Sequence, residues 1–118
     1  MEYKYLKNEE SEQFTFLRVP KKLLTDEAFK KLSLESVVLY SLLLERVELS
    51  KKNNWIDEEG RVYIIFTLTE IMDIFRCSEP KAIKLLNELD TKPGIGLIER
   101  KRQGLCKPNL IYVKNFIQ

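Results

Sequence analysis

The 118-residue sequence contains no histidine and only two cysteines, Cys77 and Cys106, with no CxxC pair. That leaves too few soft ligands for a zinc site, so no metal is expected. Two isolated thiols and no signal peptide fit a reducing cytoplasm, the expected location. Glycine is scarce, and none of it forms a loop that cradles phosphate. Gly94-Ile95-Gly96 precedes a β-prone run, not a helix, and reads as a turn. No paired-carboxylate motif is present either. Nothing resembles an assembled active site, and the expectation is a non-enzyme that needs no cofactor. Long apolar runs are also missing. Residues 37–49 come nearest, but Glu45, Arg46 and Glu48 interrupt them and the run is too short to span a bilayer.

What is present is an ordinary globular composition, 44% hydrophobic and 32% charged, on a chain sized for one domain. Net charge is only +2, yet it is unevenly placed. Residues 1–66 carry 11 basic and 12 acidic side chains, whereas residues 67–118 carry nine and six. Within 99–114, Arg100, Lys101, Arg102, Lys107 and Lys114 face Glu99 alone. Such an asymmetry points to one polyanion-facing edge. A solvated basic hairpin that protects an edge strand from aggregation would look the same.

Along the chain, residues 1–13 read as a flexible N-terminal arm and 14–118 as one folded domain. Phe14-Thr15-Phe16-Leu17-Arg18-Val19, stopped by Pro20, predicts a strand. Thr25 is placed to cap a short helix through Leu32. Ser33 caps the next helix, whose apolar residues between Leu34 and Val47 cover more than one face. It should be buried on several sides or lie at a subunit contact. Trp55-Ile56 and Arg61 to Phe66 then flank Asp57-Glu58-Glu59-Gly60, the pattern of a hairpin with an acidic turn. The turn is too short for a calcium loop.

Thr67 and Glu70 form a capping box at the start of LTEIMDIF, with Leu68, Ile71, Ile74 and Phe75 as the expected inward stripe. After Arg76-Cys77-Ser78, a second helix runs from Glu79 to about Asp90. Ser78 is its expected cap and Pro80 falls in the first turn. Ala82, Ile83, Leu85, Leu86 and Leu89 should face the core, and Lys81, Lys84, Asn87 and Glu88 the solvent. Two short helices joined this way make a corner whose second helix can enter a major groove. A solvated helix face is the alternative. Strands at 97–102 and 109–113, joined by Gln103 to Pro108, then supply a basic wing. The fold class is therefore α+β, mainly α: a winged helix-turn-helix with an extra N-terminal strand and short helix.

These stretches resemble the N-terminal domain of the replication initiator protein A family of plasmids and mobile elements of Gram-positive bacteria. FLRVPKKLLTDEAFKKLS, LYSLLLERVELSKKNNWIDEEGRVYIIFT, CSEPKAIKLLNELD and GLIERKRQGLCKPNLIYVKNF carry the resemblance over residues 14–116. It implies a DNA-binding domain for repeated sites in a replication origin, usually a homodimer. It also implies a separate C-terminal domain for host replication proteins, expected to follow this stretch of chain. Cys106 stands where the family usually has glycine, and Leu110 where a basic residue is common.

Combining residues and resemblance, the expected DNA-binding residues are Ser78, Lys81, Lys84 and Asn87 on the second helix. Arg100, Lys101, Arg102 and Lys107 on the wing join them, with Thr67 and Thr69 at the start of the first helix. The expected function is sequence-specific binding of double-stranded DNA as the origin-binding domain of a replication initiator. A winged-helix transcriptional regulator, or a winged helix that binds protein and not DNA, remains open on the residues alone.

Overall fold

The structure is a computed structural model that describes residues 2–117. Met1 at the start of the predicted arm and Gln118 at the end of the predicted domain lie outside the described residues. The α-helices are α1 (Lys22–Thr25), α2 (Leu34–Lys52), α3 (Leu68–Phe75) and α4 (Glu79–Leu89). Strands β1 (Ile98–Lys101) and β2 (Leu110–Val113) form an antiparallel ribbon with Ile98 opposite Val113 and Lys101 opposite Leu110.

Helix α2 is the hub, because its apolar residues wrap around it. Val37, Leu39, Tyr40 and Leu43 are buried against Leu23 and Phe29 from the N-terminal region, Ile71 from α3, Leu85 and Leu89 from α4, and Ile98 and Ile111 from the ribbon. Ser33 caps α2 as its sequence predicts, accepting from the Ser36 N–H at 3.1 Å. The buried Tyr40 hydroxyl donates to the Lys114 carbonyl at 2.6 Å, which fastens the chain after β2 to the hub. Burial pushes its pKa up to about 12.

The acidic turn forms as expected. Asp57 accepts from the N–H groups of Glu59 and Arg61, each at 2.9 Å, and Gly60 takes a positive φ of 80°. Pairing around the turn reduces to a bridge between Ile56 and Val62, and Ile64 bridges to Ile111 of β2. The segment thus lies along the outer edge of the wing ribbon.

Several local expectations are corrected. Residues 14–19 form no strand. No neighbouring segment offers them a ladder, and Phe14 and Phe16 are exposed, with ring centroids 6.4 Å apart. The expected helix from Thr25 to Leu32 is reduced to a 3-10 turn, Glu27–Phe29, capped not by Thr25 but by Asp26, whose side chain accepts from Ala28 N–H at 2.9 Å; Thr25 instead ends α1, a helix the sequence did not announce. The arm carries a fully exposed 3-10 helix, Asn8–Gln13.

Two isoleucines also turn outward: Ile74 is 50% exposed and Ile83 is 37% exposed. At about 100° per residue, each lies roughly 110° from the centre of its helix's apolar face, just beyond the buried stripe. In α3 the partly buried Met72 joins the core instead.

Candidate nucleic-acid interface

Helix α3 begins with the predicted capping box. Glu70 N–H donates to Thr67 Oγ1 at 3.2 Å, and Thr67 N–H donates to Glu70 Oε2 at 2.8 Å. Glu70 also pairs with Arg46 of α2 at 3.1 Å, and Arg46 donates to the Ile65 carbonyl. Partial burial pushes the Glu70 carboxyl up, but the Thr67 N–H and Arg46 outweigh it and leave the pKa lowered. This fixes the angle of α3 against the hub. Arg76, at φ 53° and ψ 50°, then stops α3 in a left-handed turn. Ser78 has the extended backbone of a helix cap, but its hydroxyl does not bond to the helix, contrary to expectation. It stays exposed at the leading end of α4, with Pro80 in the first turn.

The outward face of α4 sorts its charges by neighbour. Lys84 and Asn87 are exposed. Lys81 is instead drawn sideways to Glu35 at the start of α2, at 3.1 Å. Glu88, expected to face solvent, accepts from the Ser33 N–H at 2.9 Å and the Ser33 hydroxyl at 3.2 Å. It thereby reinforces the start of α2, where an anion is favoured.

The opposite edge of α4 is stitched to the wing. The chain after α4 turns back on it: Ile95 N–H donates to the Glu88 carbonyl, Gly96 N–H to Asp90 and Leu97 N–H to Leu89. These bonds satisfy carbonyls that a helix end otherwise leaves bare. Gly94 is needed here, because a Cβ at that position would overlap the carbonyl oxygens of Asn87 and Asp90. From β1, Arg100 completes the seam. Its Nε pairs with the Asp90 carboxylate, and its Nη2 donates to Asn87 Oδ1 at 2.6 Å. Arg100, expected on DNA, is therefore largely committed within the fold, with a side chain 25% exposed.

Beyond this seam the wing is free. Lys101, Arg102 and Lys107 are all exposed, and Gln103 Nε2 closes the loop by donating to the Pro108 carbonyl at 2.7 Å. Cys106 adopts φ 62°, a left-handed conformation that glycine takes without strain. That accounts physically for the glycine usual there in the resembled family. Lys107 and Arg100 join Thr67 and Thr69 around a concavity of about 300 Å³ between the wing and the start of α3. The ten predicted residues thus divide three ways. Ser78, Lys84 and Asn87 share the outer side of α4. Thr67, Thr69, Arg100 and Lys107 border the wing concavity, with Lys101 and Arg102 beside it, and Lys81 is turned toward α2.

The sequence reading overlooked Lys30 and Lys31. They line a larger concavity of about 740 Å³ with Pro80, Ile83, Lys84 and Asn87. Because Ser33 is held by Glu88, these lysines lie along the Lys81–Glu88 edge of α4, opposite the edge tied to the wing. Their only sequence signal is the lysine pair itself, which does not say which element it will border. Among the described residues no group of three or more Cys, Asp and Glu could hold a metal ion. No helix described is long and apolar enough to cross a membrane.

A tri-helical core, a helix-turn-helix corner with an exposed second helix and a basic ribbon beside it define a winged helix-turn-helix domain. The profile of the replication initiator protein A (RepA) N-terminus matches residues 15–118, and the chain belongs to that family. Three solved structures are similar. An N-terminal domain of a DNA-binding protein is 32% identical, with a TM-score of 0.75 over 99% of this chain and 87% of that one. The protein of a Rep–DNA complex is 33% identical, with a TM-score of 0.75 over 98% and 86%. An MDR initiator is 33% identical, with a TM-score of 0.71 over 95% and 86%. A 41 kDa protein of Lactobacillus helveticus is 28% identical over 94 residues, which make up 80% of this chain. The chain spans about a quarter of the length of that relative.

Proposed function

We propose that this domain binds double-stranded DNA sequence-specifically, at repeated sites in a replication origin, as the origin-binding part of a plasmid or mobile-element initiator. It does so without catalysis of its own. The observation that carries this reading is the exposed side of α4, led by Ser78 and Lys84, flanked by the free cations of the wing. Helix α4 enters the major groove and reads base edges, while Lys101, Arg102 and Lys107 hold the adjoining sugar-phosphate chain. Lys31 faces the strand on the other side of the groove, while its neighbour Lys30 pairs with Glu27 at 3.4 Å. Family membership and the likeness to the protein of a Rep–DNA complex support the same reading.

The domain acts in the cytoplasm as a homodimer, and a further domain of the whole initiator meets host replication proteins. Exposed Phe14 and Phe16, the latter lining a groove along Leu44 and Val47 of α2, support the dimer. Sedimentation is expected to show a species heavier than 14.0 kDa at high concentration; a monomer throughout removes the homodimer.

The direct test of the main reading is affinity for origin repeats as a function of salt. With four to five free cations engaged, log affinity should fall against log salt with a slope of about −4. A flat dependence contradicts the reading. A footprint confined to one operator beside a promoter, with clustered origin repeats left bare, favours a regulator instead.

A further inference from the structure

The outer side of α4 carries an isoleucine among its polar side chains. Ile83 is 37% exposed in the concavity that it shares with Pro80, Lys84 and Asn87. Its partner one turn along, Asn87, is oriented by the wing. Arg100 Nη2 donates to Asn87 Oδ1 at 2.6 Å, so the amide oxygen faces the wing and the NH2 is the group left to present. An asparagine that binds adenine in bidentate fashion needs its oxygen as acceptor and its nitrogen as donor together. Here the oxygen is directed to Arg100 on the wing, so the group that Asn87 turns outward is a donor.

We infer that Ile83 and Asn87 together read a thymine in the major groove, Ile83 packing on its 5-methyl group and Asn87 Nδ2 donating to its O4. The inference rests on the DNA-binding reading above. The chemistry matches on both sides. Thymine displays an acceptor and a methyl group at the major-groove edge, and side chains one helical turn apart lie on the same face. Cytosine places an amino donor where thymine has O4, so it opposes the Asn87 NH2. Uracil keeps O4 and lacks the methyl. In this arrangement Arg100 is a positioning residue, acting on DNA through the orientation it gives Asn87.

The test uses the full chain and a duplex recovered by selection from a random pool. Each thymine in the selected site is replaced in turn by uracil, and separately by 5-methylcytosine paired with guanine. At one position, uracil should weaken wild-type binding about fourfold, the worth of one buried methyl group. It should have no effect on Ile83→Ala. At the same position 5-methylcytosine, which keeps the methyl and loses the acceptor, should weaken wild-type binding by roughly tenfold. That loss should persist in Ile83→Ala and shrink in Asn87→Ala.

Ile83 lies outside the buried core, and equal melting temperatures of Ile83→Ala and wild type confirm that the comparison is of folded proteins. A site in which no uracil substitution weakens wild-type binding overturns the inference while leaving DNA binding intact. So does a uracil effect that survives in Ile83→Ala. A selection that yields no salt-sensitive duplex at all removes the DNA-binding reading, and this inference with it.

Discussion

The seam between α4 and the wing and the free end of the wing carry the same kind of side chain and put it to opposite uses. Arg100 and Lys101 are neighbours in sequence, and alternation along a strand sends them to opposite faces. Arg100 is turned onto Asp90 and Asn87 of the helix, whereas Lys101 points to solvent with Arg102 and Lys107. The difference teaches that a count of basic residues overstates the cations available to a polyanion. Some of them build the geometry that lets the others work. The same division recurs on α4, where Lys81 is spent on Glu35 and Lys84 is not.

The largest effect that would sharpen this contrast is at Gly94. Gly94→Ala forces a methyl group onto the carbonyls of Asn87 and Asp90, so α4 must separate from the turn that follows it. A loss of about 3 kcal/mol in denaturant unfolding is expected, by the same physics as overpacking a core. Unchanged stability would mean that the seam is loose.

Next is Arg100→Ala. It leaves Asp90, whose side chain is only 14% exposed, without its cation, and should cost about 1–2 kcal/mol of stability. The salt slope of DNA binding should hardly change, since Arg100 is committed inside the fold. A slope that drops by a full unit would place Arg100 on phosphate and break the comparison.

The Lys101→Ala, Arg102→Ala double variant should do the reverse. Exposed cations without partners contribute little to folding, so the melting temperature should hold. The salt slope should shrink by about 2 as two phosphate contacts vanish. A fall in melting temperature with the slope intact would reverse the assignment of seam and tip.

The smallest effect belongs to the acidic turn behind the wing. The Arg61 N–H, with the Arg61 side chain and the Tyr112 hydroxyl, holds the Asp57 carboxyl down to about 2. A pKa depressed by folding adds stability above the unfolded value and loses it as pH falls through the folded one. Asp57→Asn should therefore melt slightly below wild type at neutral pH, with the gap closing between about pH 4 and pH 2. A gap that stays constant over that range would assign the turn's stability to shape alone.

The parts of the site that were legible in the sequence are those set by local chemistry. Thr67 and Glu70 are three residues apart and bond each other, and the Pro80 helix start and the wing ribbon follow from spacing and turn residues. What was not legible depends on partners far along the chain. Nothing near Glu88 says that it will cap a helix starting 54 residues earlier, at Leu34. Nothing near Lys81 names Glu35.

The segment at 14–19 has the composition of a strand, yet composition supplies no neighbour to pair with. Ile74 and Ile83 failed for a different reason. Each sits at the margin of an apolar stripe, where helical periodicity cannot say whether the packing will reach it. At Ile83 that margin coincides with the face proposed to meet DNA.

Amide chemical-shift mapping by NMR, with a selected duplex titrated into the labelled domain, tests the central claim most directly. Signals of residues 78–88 and 101–108 should move together and saturate together, while those of Val37 to Leu43 in the hub stay in place. Shifts confined to α2 and residues 14–19, with α4 and the wing unmoved, would contradict it.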